Sequence, residues 1–488
     1  MKSFLFSIGI LFLLFEGIAQ PISLHPENPH YFIYKGKPAL LITSGEHYGA
    51  VLNQDINYQA YLDVQEGYGF NQTRIFSGAY CEGNESGFLN GQYVEWDKVQ
   101  NTLSPRPGRL ITPWARSSRE GYQNGGNKFD LDRWDDAYFH RLKDFCAKAE
   151  ERGIIVEIVL FTALYKPEFW RNSPLHPANN INDTEDVPYN EFHLLAHKKL
   201  IDYQLKMVAK IVEEVNAFDN IYFEICNEPY WLKGIPEYEA SIKEQLFLPE
   251  MEEWQALIAG QIRETEKKLP RQHLIAQNIA NTYYKVKEVN PAVSVLNFHY
   301  AFPPAAVADN YHIGIPVAFN ETFAGDHAPD RRKEAWAFIL AGGAVYSNLD
   351  WSFAIDDVTG LGRNVSGKKT SGKEVRDQLR VLKHTIDRFD YIRASPVAPG
   401  EFEELPDNLH MQGLKIADRS YLCYFYKERK MEAGSYMLSL KKGRYTITFI
   451  DPIDGKILKR NSVRHKQDKL QLDFPFFSDD IVLKIERG

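Results

Sequence analysis

The chain has 488 residues, 44% apolar and 25% charged, enough material for about two domains of ordinary size. Its formal net charge is −8 and its Lys and Arg form no block, which argues against a nucleic-acid partner, because a phosphate backbone needs a concentrated basic surface. Aromatic residues make up 13%, a supply that suits sugar-stacking surfaces and β-rich cores equally.

The N-terminus has the order of a cleaved secretory leader. Lys2 precedes an apolar run from Phe4 to Phe15, and Gly17-Ile18-Ala19 offers small residues for a peptidase. The run is shorter than the roughly 20 residues of a spanning helix, so a leader over residues 1–20 and a secreted or periplasmic protein without a membrane span are expected. Cys81, Cys146, Cys226 and Cys423 have no CxxC spacing and are too sparse for a disulfide framework or a zinc site. They are expected to be mostly free and buried.

Next come short β-rich apolar runs alternating with helix-like segments, the pattern of a parallel α/β fold. The expected strands are Pro38–Thr43, Asn71–Phe76, Gly153–Phe161, Asn220–Cys226, His273–Gln277, Val293–Phe298, Ile315–Asn320 and Gly343–Leu349. Helices are expected over Asn57–Glu66, Asp135–Glu151, Lys198–Asn216, Pro249–Lys268, Arg331–Ala341 and Lys373–Phe389. Eight such runs fit a (β/α)8 TIM barrel over residues 21–395. The rival, a doubly wound open sheet, needs a Gly-rich phosphate turn after its first strand, and Thr43-Ser44-Gly45-Glu46-His47 is not one. After Phe389 the texture changes. Ser420–Tyr426, Ser435–Leu440, Arg444–Ile450, Leu470–Phe474 and Ile481–Ile485 are strand-like with no helix between them, which predicts a small all-β sandwich over residues 396–488.

A parallel barrel carries its reactive groups at the C-terminal ends of its strands. The fourth expected strand ends in Cys226-Asn227-Glu228-Pro229 and the seventh in Phe319-Asn320-Glu321-Thr322. Each delivers a carboxyl to the barrel mouth, and glycoside hydrolysis needs such a pair. Asn227-Glu228-Pro229 with a Glu after strand seven resembles glycoside hydrolase clan A, most closely a family 5-type, cellulase-like barrel, from about Tyr31 to Phe389. The resemblance implies a retaining glycosidase acting on O-glycosyl bonds, with Glu228 as acid/base and Glu321 as nucleophile.

Other residues match the family pattern one by one. Arg74, in Gly69-Phe70-Asn71-Gln72-Thr73-Arg74, takes the place of the arginine that keeps the nucleophile ionised. Asn227 is suited to a sugar 2-hydroxyl. His299 and Tyr300 end strand six, where the family sets a His and a Tyr around the nucleophile; which of the two reaches Glu321 stays open, because here they are adjacent. Trp351, after strand eight, stands where a Trp floors the reacting subsite. Phe161-Thr162-Ala163 at the end of strand three brings no comparable polar group, and Glu46-His47 after strand one has no family counterpart.

The remaining candidates come from position alone. Glu46 and His47 are expected to face the mouth and bind sugar hydroxyls. Glu224 and Glu157 lie deeper, as buried paired carboxylates. The insertion Trp96–Lys128, with Trp114, Arg116, Tyr122 and Asn127, is expected to wall a subsite. Asp326 and Asp356-Asp357 read as solvated loop rather than calcium ligands. There is no HxH, HExxH or GxSxG, so neither metal nor cofactor is called for and a serine esterase is disfavoured. The partner expected is a carbohydrate substrate. The alternative is a non-catalytic carbohydrate-binding protein on a degenerate barrel, against which both carboxyls weigh.

Overall fold

Strands that are apolar along their whole length must be covered on both faces, and parallel pairing with crossover helices does this. The computed structural model describes residues 20–82, 86–89, 92–95, 101–231, 249–322, 327–361, 372–403, 405–417, 419–427 and 434–488. The expected leader, apart from Gln20, lies outside the described residues, as does Asp326. Among those described, no helix is long and apolar enough to cross a membrane.

Eight parallel strands form one sheet: β1 (Leu41–Gly45), β2 (Gln72–Phe76), β3 (Ile155–Thr162), β4 (Ile221–Asn227), β5 (Ile275–Asn281), β6 (Val295–His299), β7 (Val317–Glu321) and β8 (Val345–Leu349). The ladder runs β2-β3-β4-β5-β6-β7-β8-β1. Asn71 bridges the seam: its backbone N–H donates to Ile42 O at 3.3 Å, and its side-chain oxygen accepts from Ile42 N at 3.0 Å. The chain thus forms a (β/α)8 barrel.

The outer helices are α1 (Tyr58–Tyr68), α2 (Asp136–Glu151), α3 (Lys198–Val215), α4 (Pro249–Glu266), α5 (Ala328–Leu340) and α6 (Gly372–Ile386). Local chemistry sets their starts. Asn57 and Asp135 accept backbone N–H groups of the first turns of α1 and α2, satisfying donors that have no helical partner. Gly69, at φ 74°, ends α1 in a left-handed turn. Leu200, Tyr203, Met207, Ile211 and Val215 of α3 recur every three to four residues and are buried on one face.

Two strands depart from expectation. The run Pro38–Thr43 is split: Lys37–Ala39 pairs antiparallel with Phe32–Tyr34, and the barrel strand proper begins at Leu41. The fifth strand continues to Asn281, past the expected end at Gln277. Asparagine is a poor strand former, yet the strand carries Asn278 and Asn281 at its mouth end, both buried.

The C-terminal part is all β. Ser395–Pro396, β9 (Leu409–Ile416), β10 (Ser420–Lys427), β13 (Asp480–Arg487), β11 (Gly443–Ile450) and β12 (Ile457–His465) form a six-stranded sheet in that order. Phe402–Glu403, Ser435–Ser439 and Lys469–Asp473 form a three-stranded one. Phe402, Leu438 and Leu472 from the small sheet share one core with Phe425, Phe449 and Leu483 from the large one. β9 and β12 were not anticipated, because Leu409–Ile416 and Ile457–His465 are too polar to read as strands.

The outer face of the large sheet packs on the barrel. Leu422, Tyr424 and Val482 belong to the barrel's core cluster, and Tyr424 stacks on Trp336 of α5 at 5.6 Å. Beside that stack, Arg332 donates twice to Asp480, at 2.6 and 3.0 Å, and Tyr424 donates to the same carboxylate at 2.5 Å. All four cysteines are buried and free.

Candidate active site

The interior of the barrel is polar at its centre. Arg74 of β2 is 2% exposed and is surrounded by three carboxylates. Its Nη2 lies 2.7 Å from Glu224 Oε1, its Nη1 3.1 Å from Glu321 Oε2, and its Nε 3.9 Å from Glu157 Oε2. Burial opposes the guanidinium charge, but Glu224, Tyr48, Glu157 and Glu321 outweigh it and hold its pKa well above the usual value. The side-chain amides of Asn297 and Asn320 each donate to both Glu157 and Glu224, at 2.7 to 3.2 Å. Burial, with Glu157 alongside, drives the Glu224 carboxyl upward against the pull of Arg74. Glu157 and Glu224 are therefore the foundation of the site, beneath its mouth.

Above this layer stand Glu228 and Glu321. Glu321 is the last residue of β7 and Glu228 directly follows β4, and each has a carboxylate oxygen within 4.8 Å of the other's. Tyr300 Oη joins them, 3.0 Å from Glu321 Oε1 and 3.2 Å from Glu228 Oε1. His299 Nδ1 lies 3.1 Å from Glu228 Oε1 and 3.5 Å from Glu321 Oε1. Of the two strand-six residues, Tyr300 thus makes the closer bond to Glu321, and His299 turns mainly to Glu228. Burial lowers the His299 pKa to about 4, so the ring is neutral, with Nδ1 facing both carboxyl groups.

Three tyrosines complete the site, and two of them were not legible as site residues. Tyr48 donates to Glu321 Oε2 at 2.8 Å, while the Arg74 guanidinium lies 4.6 Å from its ring. Tyr165, three residues past β3, donates to Glu228 Oε2 at 2.7 Å and accepts from Asn227 Nδ2 at 2.7 Å. The third strand therefore does supply a polar group, displaced from its end. The phenols of Tyr48, Tyr165 and Tyr300 are all pushed up, first by burial and then by the neighbouring carboxylates, which keeps them protonated donors. The signal available in sequence was an aromatic hydroxyl within a few residues of a barrel strand's C-terminal end.

Backbone strain concentrates here. Tyr48, Glu228, Thr282 and Tyr300 all have left-handed φ, between 50° and 64°, a region costly for residues with a Cβ. At Glu228 the strained turn is held by its N–H bond to Asn278 Oδ1 at 2.8 Å. At Tyr300 the N–H bonds Glu321 O at 2.9 Å, locking the sixth strand's end to the seventh.

Asn227 is 3% exposed; its Oδ1 accepts from Arg74 at 2.7 Å and its Nδ2 donates to Thr162 and Tyr165. Both amide hydrogens are thereby engaged in holding the site. Glu46, expected to face the mouth, turns inward instead. Its two oxygens accept from Gly49 N and Ala50 N at 2.9 and 3.0 Å, tying the turn that carries Tyr48, and burial pushes its pKa up to about 7. The two backbone amides hold the carboxyl group in the turn, although burial opposes its charged form. His47 does reach the mouth, its ring 4.4 Å from Trp351. Trp351 is 8% exposed on a turn anchored by Asp350, which accepts from Arg376 at 2.5 Å and from Ser44 at 2.9 Å.

The latter part of the insertion forms a hairpin, Trp114–Glu120 with Asn127–Trp134. Trp114 is fully buried, Arg116 lies 3.9 Å from the Phe129 ring, Tyr122 donates to Asn172 O, and Asn127 donates to Ser117 O. These four residues build the hairpin. Among the described residues of the insertion, Asn101 meets His47, with its Oδ1 2.7 Å from Nδ1; residues 96–100 lie outside the described residues. Asp357 accepts from Thr359 N and Oγ1, closing a turn.

Among the described residues, Glu228, His299 and Glu321 are the group whose donor atoms could converge on a metal ion. Their mutual hydrogen bonds, and the Arg74 charge 3.1 Å from Glu321, fit a hydrogen-bonded acid pair better than a cation site.

No family model and no curated protein matches the chain. Its fold is similar to solved structures. One, described as a glycoside hydrolase, superposes with TM-score 0.61 at 12% identity over 96% of this chain and 97% of the other. A putative glycoside hydrolase from Bacteroides vulgatus ATCC 8482 gives 0.66 at 14%, over 96% and 83%. A glycoside hydrolase family 5 structure from the same organism gives 0.59 at 14%, over 96% and 94%. At such identities the likeness is one of architecture, a (β/α)8 barrel followed by an all-β domain.

Proposed function

We propose that this chain is a secreted retaining glycoside hydrolase, cleaving O-glycosidic bonds of an oligo- or polysaccharide by double displacement. The observation that carries the reading is the approach of the Glu228 and Glu321 carboxylates to within 4.8 Å at the mouth of the barrel. Retaining pairs stand about 5–5.5 Å apart, whereas inverting pairs leave about 6.5–9.5 Å for a water. The described glycoside hydrolases that share the architecture support the same class of reaction.

In the first step a Glu321 oxygen bonds to the anomeric carbon. Arg74 and Tyr48 both contact its Oε2, which sets a fixed positive charge beside the nucleophile and orients the other oxygen. As the glycosidic C–O bond breaks, Glu228 gives its proton to the departing oxygen. In the second step Glu228 takes a proton from water, the water oxygen bonds to the anomeric carbon, and Glu321 leaves as carboxylate. Tyr165, His299 and Tyr300 fix Glu228 for both transfers. Trp351 and His47 line the side of the cleft where the glycosyl ring is held. The leader-like order of residues 2–19 supports export, which N-terminal sequencing of the mature protein checks.

A panel of aryl glycosides, with Glu228→Ala and Glu321→Ala as controls, tests the activity. Proton NMR of the first-formed product tests stereochemistry. Release by wild type, lost in both variants, with the anomer conserved, is the expected result. Equal inertness of all three proteins with equal glycan binding would refute catalysis, and an inverted product would refute double displacement.

A further inference from the structure

The turn that carries Glu228 is gripped from β5 by two side chains that the mechanism above does not use. Side chains alternate along a strand, so residues three apart, such as Asn278 and Asn281, should face opposite ways. Here the register breaks. Asn278 lies opposite Asn297 of β6 and Ala280 opposite Phe298, so β5 takes two steps where β6 takes one. Such a bulge reverses the alternation beyond it and brings both asparagines to the same side. Each takes hold of the segment after β4. Asn278 Oδ1 accepts the Glu228 N–H at 2.8 Å, and Asn281 Oδ1 accepts the Tyr230 hydroxyl. A backbone N–H can only donate, so the Asn278 amide is fixed with its oxygen toward Glu228; its nitrogen donates to Asn297 O at 3.4 Å. Asn278 is 1% exposed and Asn281 3%. Between the two anchor points lies Pro229, in the short 3-10 turn Pro229–Trp231. Glu228 itself holds a left-handed φ of 50°, which a residue with a Cβ keeps only where its surroundings impose it.

We propose that Asn278 and Asn281 are positioning residues for the acid/base, holding residues 228–230 so that the Glu228 carboxyl stands at the glycosidic oxygen. The assignment rests on the glycosidase reading, which gives Glu228 its proton transfers. Transfer of a proton depends steeply on placement, and it matters most when the leaving oxygen needs that proton. Loosening the turn therefore slows cleavage of a poor leaving group and spares a good one.

The test is kcat/KM on two aryl glycosides of one sugar, one releasing phenol and the other an acidic nitrophenol. Asn278→Leu, which nearly keeps the volume and removes the acceptor, should lose about 10–100-fold on the first and less than about threefold on the second. Tyr230→Phe, which removes the hydroxyl that Asn281 holds, should shift the ratio of the two values the same way by about threefold. An unchanged ratio in Asn278→Leu, whether activity is kept or falls equally on both substrates, overturns the proposal. Where thermal unfolding finds that variant unfolded, the ratio in Tyr230→Phe decides in the same way. A wild type that cleaves neither glycoside refutes the glycosidase reading and this role with it. A ratio that shifts in Glu228→Ala but in neither other variant refutes this role alone.

Discussion

Arg74 and Glu321, 247 residues apart in the chain, meet at 3.1 Å inside the barrel, and the same guanidinium holds Glu224 and Asn227. One cation thereby ties strands two, four and seven together beneath the candidate acid pair. Removing it leaves buried carboxylates unpaired. Arg74→Met should cost about 3–5 kcal/mol in urea unfolding and abolish turnover. Arg74→Lys should recover little of either, because a single ammonium cannot replace contacts made from three guanidinium nitrogens.

The two carboxyls answer separately. Glu228→Ala should lower kcat by about 10²–10⁴-fold on a substrate whose leaving group needs protonation, and much less on one with an acidic phenol. Glu321→Ala should be inactive on both, since no covalent intermediate forms. Steady-state kinetics on two aryl glycosides of different leaving-group acidity checks the split.

Tyr165→Phe removes a donor to Glu228 Oε2 and an acceptor for Asn227 Nδ2 at one stroke. A fall in kcat of about tenfold or more is expected, with a stability loss of about 1–2 kcal/mol from the orphaned amide hydrogen. Unchanged kcat would remove Tyr165 from the site.

Stability should depend on pH through buried acids. Burial raises Glu334 to about 7, against the attraction of Arg331, and Glu46 and Glu82 behave alike. Such groups keep a proton in the folded state that the unfolded chain releases. Their contribution is full below the unfolded value near 4.5, fades as pH rises, and is lost above about 7. The melting temperature of Glu334→Gln relative to wild type should therefore improve between pH 5 and pH 8, by at most about 3 kcal/mol in free energy. A difference independent of pH would contradict this.

At the junction, Asp480 accepts from Arg332 and Tyr424 with only 6% of its surface exposed. Asp480→Ala leaves the Arg332 guanidinium without its carboxylate partner and should cost about 3–5 kcal/mol. Calorimetry is expected to resolve the single unfolding transition of wild type into two, as the β domain loosens from α5.

The sequence by itself determined the class of fold. Apolar runs such as Ile155–Phe161 and Ile221–Cys226, each interrupted by a single glutamate, read as strands covered on both faces, and the amphipathic repeat of Lys198–Val215 reads as a covering helix. It also marked Glu228 and Glu321, because strand ends are visible where an apolar run stops. What lay beyond local pattern was left to the tertiary structure. Glu46 was directed inward by two backbone amides of its own turn, Tyr48 was brought to Glu321 from 273 residues away, and Tyr165 was swung back onto Glu228. Asn101 and Glu82 were joined to His47 by a loop path that no periodicity encodes. Periodicity records which face a residue presents to its own element; only closure of the barrel decides which side chains from separate strands share one volume.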